Sequence, residues 1–246
     1  MKMLQRVKNF KNFIIVLLPL IVLQLSCAQD AKPSEAYVFK NGNPNGIGKW
    51  YMGREIAHVM GFQGIDWLER TARETEENTS KLINNMNIKT GDTIADIGAG
   101  SGFHVFKMAP LAKNGLVYAV DIQEQMLKAM EARIYRDDVK NVSLIMGNEK
   151  SVNLPENSVD KLLMVDVYHE FNDPKEMMAS IEKALRADGK IYLIEYRAED
   201  SAVPIKKVHK MSEAQAVKEF EAAGFVLEEN MDNLPWQHCM VFVKKR

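Results

Sequence analysis

The chain has 246 residues, 46% of them hydrophobic and 26% charged, with 32 basic against 33 acidic side chains. That balance excludes a disordered or fibrous polymer and a strongly basic nucleic-acid binder, and the length suits one α/β domain with an additional segment. Cys27 and Cys239 are the two cysteines, too few for a disulfide framework or a cysteine-based zinc site, and the spacing of the five histidines gives no reason to expect a metal.

Residues 1–28 place Lys2, Arg6, Lys8 and Lys11 ahead of "FIIVLLPLIVLQLSCA", a charged and then apolar pattern that reads as a signal peptide. The apolar run is short for a membrane span of about 20 residues. Ser26 and Ala28 suit cleavage before Gln29, while "LQLSC" resembles a lipoprotein box with Cys27 as the lipidated residue; an uncleaved anchor is the third reading. All three place the folded part in the bacterial cell envelope, touching the membrane only through the signal or a lipid, and a non-functional signal would leave it in the cytoplasm. Without residues 1–26, 28 basic and 33 acidic side chains remain, a net charge of −5 that disfavours a nucleic-acid partner.

Residues 29–50, rich in Pro, Gly, Asn and Lys, read as a linker, and residues 51–90 as a helical lid containing "GREIAHVM" and "TEENTSKLINNM", with Leu82, Ile83 and Met86 on one face. From residue 91 short apolar runs alternate with amphipathic ones. Strands are expected at "TIADI" (93–97), "LVYAVD" (116–121), "VSLIM" (142–146), "KLLMVDV" (161–167) and "KIYLIEY" (190–196). Helices are expected over 102–111, 124–135 and 174–186, the last stopped by a left-handed cap at Gly189. Ser212 then caps a helix that Gly224 ends, and "FVLEE" and "HCMVFVKK" close the chain as an antiparallel pair. The pattern predicts a doubly wound, mostly parallel α/β sheet whose ligands sit at the carboxyl ends of its strands.

The loop after the first of these strands, "IADIGAGSGFH", holds Gly98, Gly100 and Gly102, which let backbone approach a ligand. A dinucleotide fingerprint needs glycine at position 103, which is Phe103, so a nicotinamide oxidoreductase is disfavoured. Asp121, at the tip of the next strand, is placed to accept hydrogen bonds from both hydroxyls of a ribose.

With "ADIGAGSG" (95–102), "VDIQEQML" (120–127), "NLPENSVDKLLMVDVYHEFNDP" (153–174) and "ALRADGKIYLIEY" (184–196), the chain resembles the class I S-adenosylmethionine-dependent methyltransferases from about residue 80 to 245. The resemblance implies a seven-stranded sheet of order 3-2-1-4-5-7-6 with the last strand antiparallel. It implies that Asp96 and the loop of Gly98, Ala99, Gly100 and Gly102 hold the methionine part of S-adenosylmethionine. Asp121 would then grip the ribose, Ile122 would pack on the adenine, Asn148 and Glu149 would stand at the adenine edge, and Asp166 would face the cofactor. Residues ahead of the first strand would cover the site, with Trp50, Tyr51, Arg54, Trp67 and Arg70 as contacts.

The expected activity is methyl transfer to an O, N or S atom of a small molecule. His169, Tyr168 and Glu195 are the candidate catalytic residues, His169 as proton acceptor because an imidazole titrates near ~6.5. Arg197, Glu199 and Asp200 after the fifth strand, His209 and Lys210 in "PIKKVHKM", and Gln237 and His238 before the last strand are further candidates. The alternative from another class is an exported envelope protein that keeps the fold as a small-ligand binding module without turnover.

Overall fold

A computed structural model describes residues 36–246; the signal expected over 1–28 lies outside the described residues, as does the start of the expected linker. Among the described residues no helix is long and apolar enough to cross a membrane.

The first described segment departs from expectation. In place of a linker and a helix, residues 37–57 form a three-stranded antiparallel sheet of β1 (Tyr37–Phe39), β2 (Gly46–Tyr51) and β3 (Arg54–Ala57). Tyr51 pairs with Arg54 across a two-residue turn in which Met52 and Gly53 both take positive φ, 49° and 99°, the twist that suits a tight hairpin. Glu55 holds the preceding loop by accepting from the Asn43 and Gly48 N–H groups at 2.7 and 3.2 Å. Helix begins only later, in α1 (Ile65–Leu68), α2 (Arg73–Glu77) and α3 (Thr79–Asn85), where Leu82, Ile83 and Met86 are buried as their spacing predicts.

The main sheet is built from β4 (Thr93–Ile97), β5 (Leu116–Asp121), β6 (Val142–Met146), β7 (Val159–Val165), β8 (Leu185–Tyr196), β9 (Phe225–Asn230) and β10 (Gln237–Lys244). Its order is β6-β5-β4-β7-β8-β10-β9, which is 3-2-1-4-5-7-6 counted within the sheet, with β10 antiparallel to both neighbours and the other pairs parallel. Alternation along the strands feeds two cores: Leu162 and Met164 join Ile181 and Phe220 on one face, while Leu163 joins Ile94, Val117 and Val241 on the other. The order reverses between β4 and β7, and that opens a crevice at their carboxyl ends.

Two expected helix ends move. The helix after β4, α4, spans only Val105–Met108, because Gly102 has φ +80° and Pro110 has no N–H to extend the ladder. The helix expected to reach residue 186 is α6 (Pro174–Ala184), and Leu185 is already extended as the start of β8. Gly189 is therefore no left-handed cap; a Cβ there would meet Leu185 at 2.8 Å and the Val159 carbonyl at 3.0 Å, so it serves close strand approach. Helices α5 (Glu124–Arg136) and α7 (Glu213–Ala222) lie where expected, and Ser212 caps α7 by accepting from the Gln215 N–H at 3.2 Å.

Candidate functional site

A cavity of about 560 Å³ lies over the carboxyl ends of β4, β5 and β7. Its floor is the glycine loop. Gly98 and Gly100 have φ of 71° and 55°, and the Gly98 and Ala99 N–H groups donate to the Val120 carbonyl at 2.8 and 3.0 Å, which bends the chain back over β5. A Cβ on Gly98 would stand 2.4 Å from Val167, and one on Gly100 2.7 Å from Leu68. Ala99 and Gly102 do not face the cavity. Ala99 joins the core, and Gly102 admits Phe106 and Met130, which a Cβ would meet at 2.5 and 3.0 Å.

Asp121 lines the cavity and anchors the loop, its Oδ2 accepting from the Gly100 N–H at 2.8 Å and its Oδ1 from the Gln123 N–H at 2.9 Å. Burial raises its pKa and these N–H groups oppose the rise without cancelling it. A carboxylate has about four acceptor positions, so further donors can still be met. Ile122, 40% exposed, offers an apolar surface beside it, and Asn148 and Glu149 line the same end.

Two carboxylates each have a buried oxygen without a donor. Asp96 is enclosed under the loop rather than at the cavity wall; its Oδ2 has no partner, and burial pushes its pKa up to about 7, with Arg73 opposing and Asp121 adding. Asp166 lines the cavity at φ 51°, a left-handed conformation costing on the order of 1–3 kcal/mol for a non-glycine residue. Its Oδ2 accepts from the Gln237 amide at 2.6 Å and its Oδ1 has no partner, while burial, Glu77 and Glu195 hold its pKa well above the carboxylate range. Unmet acceptors beside bare backbone, a strand-tip acid and an exposed aliphatic side chain suit a ligand with a cationic head and a nucleoside tail.

The other end is polar. His169 follows β7 and is 2% exposed; its Nδ1 stands 2.6 Å from Glu195 Oε2 and its Nε2 3.1 Å from His209 Nδ1. Burial disfavours the imidazolium, but Glu195 and Glu170 outweigh it and the His169 pKa is raised. Glu195 is fully buried and lies off the cavity wall, where it also accepts the His169 backbone N–H at 3.2 Å; its contact is with His169, not with anything in the cavity. Tyr168 corrects a sequence expectation. Its ring is in the core against Phe171 and Phe220, without access to the cavity, while its neighbours Val167, His169 and Glu170 line it.

Of the expected covering residues, Trp67 and Arg70 do line the cavity, and the Arg70 guanidinium lies 3.6 Å from the Trp67 ring centroid. Arg54 works from outside, pairing with Glu219 at 2.9 Å and donating to the His169 carbonyl at 3.0 Å. Trp50 and Tyr51 belong to β2 and do not reach the cavity. Arg73 and Glu77 also line it, joined at 2.5 Å, with the Tyr196 hydroxyl donating to Glu77 at 2.8 Å. The sequence places "ERTARETEEN" in the covering segment, but Arg70 alone of its charged residues was expected to make contact, because nothing in its local spacing separates Arg73 and Glu77 from the other charges. Histidine spacing likewise misses the closeness of His169, Glu170 and His209, whose ligand atoms lie within 4.8 Å of one another. His209 arrives on a loop 40 residues further along the chain.

The family described as a methyltransferase domain matches residues 88–239. The uncharacterized methyltransferase YdaC of Bacillus subtilis is 31% identical over 154 residues, 63% of this chain and 82% of YdaC. Other curated relatives are matched over about half of their length or less. Among solved structures, a SAM-dependent methyltransferase from Aquifex aeolicus aligns with a TM-score of 0.70 at 22% identity, covering 75% of this chain and 98% of that one. The 1,6-didemethyltoxoflavin-N1-methyltransferase of Burkholderia thailandensis, solved with bound 1,6-didemethyltoxoflavin and S-adenosylhomocysteine, aligns with a TM-score of 0.54 at 16% identity over 80% of this chain and 99% of that one.

Proposed function

We propose, from the premise that the chain belongs to the class I S-adenosylmethionine-dependent methyltransferase family and uses S-adenosylmethionine, that it methylates an O, N or S atom of a small molecule. The observation that carries this reading is one cavity whose two ends differ: a glycine-floored end with Asp121 and Ile122, and a polar end with His169, Glu170 and His209. Asp121 would hold the ribose, Ile122 would cover the adenine, and the unmet Asp166 oxygen would take the cofactor's cationic end. The cofactor supplies a methyl group on a sulfonium, already activated for displacement.

The protein's own work is then alignment, exclusion of water and removal of the acceptor's proton. Alignment alone contributes on the order of 7–11 kcal/mol to such reactions. Trp67, Arg70, Arg73 and Glu77 form the wall that would keep water out, and their ion pairs keep that wall charged only where partners are present. The acceptor's proton would leave at the polar end, where the Nδ1 of His169 is engaged by Glu195 and its Nε2 points toward His209. The small-molecule acceptor is favoured by a cavity of about 560 Å³, the size range of small-ligand sites. Location in the cell envelope is part of the proposal and rests on the charged and apolar residues 1–28.

The test is a methyl-transfer screen with labelled S-adenosylmethionine across phenol, thiol, alcohol and amine acceptors. Label should move to a low-molecular-weight product; transfer only to protein or nucleic acid contradicts the reading.

A further inference from the structure

We propose that His169, His209 and Glu170 form a binding site for a divalent transition-metal ion of the zinc class at the polar end of the cavity. The site's meaning for the acceptor rests on the methyltransferase reading; its existence does not.

The geometry is that of three ligands around one ion. His169 Nε2 and His209 Nδ1 are 3.1 Å apart, and Glu170 Oε1 lies 3.8 Å from the first and 3.6 Å from the second. The point in their plane that is equidistant from the three atoms is about 2.0 Å from each, the length of Zn–N and Zn–O bonds, with open positions on either side of the triangle. Two imidazoles and one carboxylate are also a donor set that selects first-row transition ions over magnesium or calcium.

Each ligand is held from behind. Glu195 accepts from His169 Nδ1 at 2.6 Å, which fixes the proton there and leaves the Nε2 lone pair directed at the cluster. A buried carboxylate behind an imidazole is the support that metal-ligating histidines use to fix their tautomer and raise their basicity. Glu170 is tied through its other oxygen, Oε2, which accepts the Met60 N–H at 3.1 Å, so Oε1 remains for the ion. Arg54 fixes the turn itself by donating to the His169 carbonyl at 3.0 Å. Without an ion, His169 Nε2 and His209 Nδ1 share one hydrogen bond at 3.1 Å; with one, the proton between them passes to solvent and both nitrogens ligate.

Three protein ligands leave a four- or five-coordinate ion with at least one open position, and all three residues line the cavity, so that position opens into it. An acceptor placing a hydroxyl, phenol or thiol there is ligated as its anion, its proton passing to solvent. His169 then acts as a ligand, and the acceptor class narrows to molecules with a ligating oxygen or sulfur.

Cobalt(II) is the probe, because its visible ligand-field absorption reports a low-coordinate nitrogen and oxygen site. Titrated into the tag-free full chain, cobalt should fill one saturable site and be displaced by zinc. His209→Ala and Glu170→Gln should each weaken cobalt by about 100-fold or more, and Glu195→Gln by about 10–100-fold. S-adenosylhomocysteine affinity is measured on the same proteins, and its retention in His209→Ala shows that the fold is intact. Absence of saturable cobalt absorption, or cobalt affinity unchanged by both His209→Ala and Glu170→Gln, overturns the site. Failure of the wild-type protein to bind S-adenosylhomocysteine contradicts the methyltransferase reading instead, and cobalt binding still decides the metal site.

Discussion

At the scale of single residues, Asp121 does two jobs at once. Its carboxylate ties down the Gly100 and Gln123 N–H groups and borders the cavity where the ribose is assigned. Asp121→Ala should weaken S-adenosylhomocysteine binding by about 10–100-fold, the range for losing hydrogen bonds to a charged group. Calorimetric titration checks this, and equal affinity in the mutant removes the ribose assignment. Three enclosed groups also share one sign of pH dependence. Burial raises Asp96, up to about 7, and Asp166 from 3.8, while His169, despite its burial, is raised from 6.5 by Glu195 and Glu170. In each case the folded protein keeps a proton that the unfolded chain releases. The stability each contributes is complete below its unfolded pKa and is lost as pH rises through its folded one. Unfolding free energy of the ligand-free protein should therefore fall between pH 5 and 8, by up to about 1.4 kcal/mol per pH unit for each group titrating. Asp96→Asn should flatten that slope. Urea denaturation at stepped pH measures it, and a stability that climbs across the window contradicts the assignment.

At the scale of elements, the parallel strands and their helices were legible because period and length agree: "TIADI" and "LVYAVD" are short, apolar and followed by helical spacing. The segment before them was not legible. "GIGKWYMGREIA" hides its hairpin because the turn carries Met52 where asparagine or glycine would announce positive φ, and because Ile56 and Ala57 mimic the apolar face of a helix. The end of α6 was misplaced for a related reason, a glycine read as a cap when its small size serves strand approach. In the site, the glycine loop and Asp121 were readable from local spacing. The roles of Glu195, Glu170 and His209 were not, since they are set by contacts between elements far apart in sequence. The hairpin's attachment can be tested. Arg54 and Glu219 are 9% and 0% exposed and pair at 2.9 Å, so Arg54→Ala leaves a buried carboxylate without its cation, held only by the Gln215 amide at 2.8 Å, and should destabilise by about 3–5 kcal/mol. Arg54→Met combined with Glu219→Leu should recover most of that loss; a double mutant as unstable as the single one contradicts the pairing argument.

At the scale of the whole molecule, the cavity is built at the sheet's reversal point, and the proposed location in the envelope rests on the charged and then apolar residues 1–28. Mass spectrometry of the mature N-terminus in membrane and soluble fractions should find lipidated Cys27 or free Gln29; an intact Met1 in the cytosol contradicts export. The family explains the cavity's position, and the side chains within it differ between the end proposed for the nucleoside and the polar end proposed to accept a proton or hold a metal ion. The most direct test of that division is calorimetric titration of the full chain with S-adenosylhomocysteine and, separately, with NADH. The account predicts one saturable site for S-adenosylhomocysteine and no heat of binding for NADH; an inert S-adenosylhomocysteine titration, or a site that prefers NADH, would contradict it.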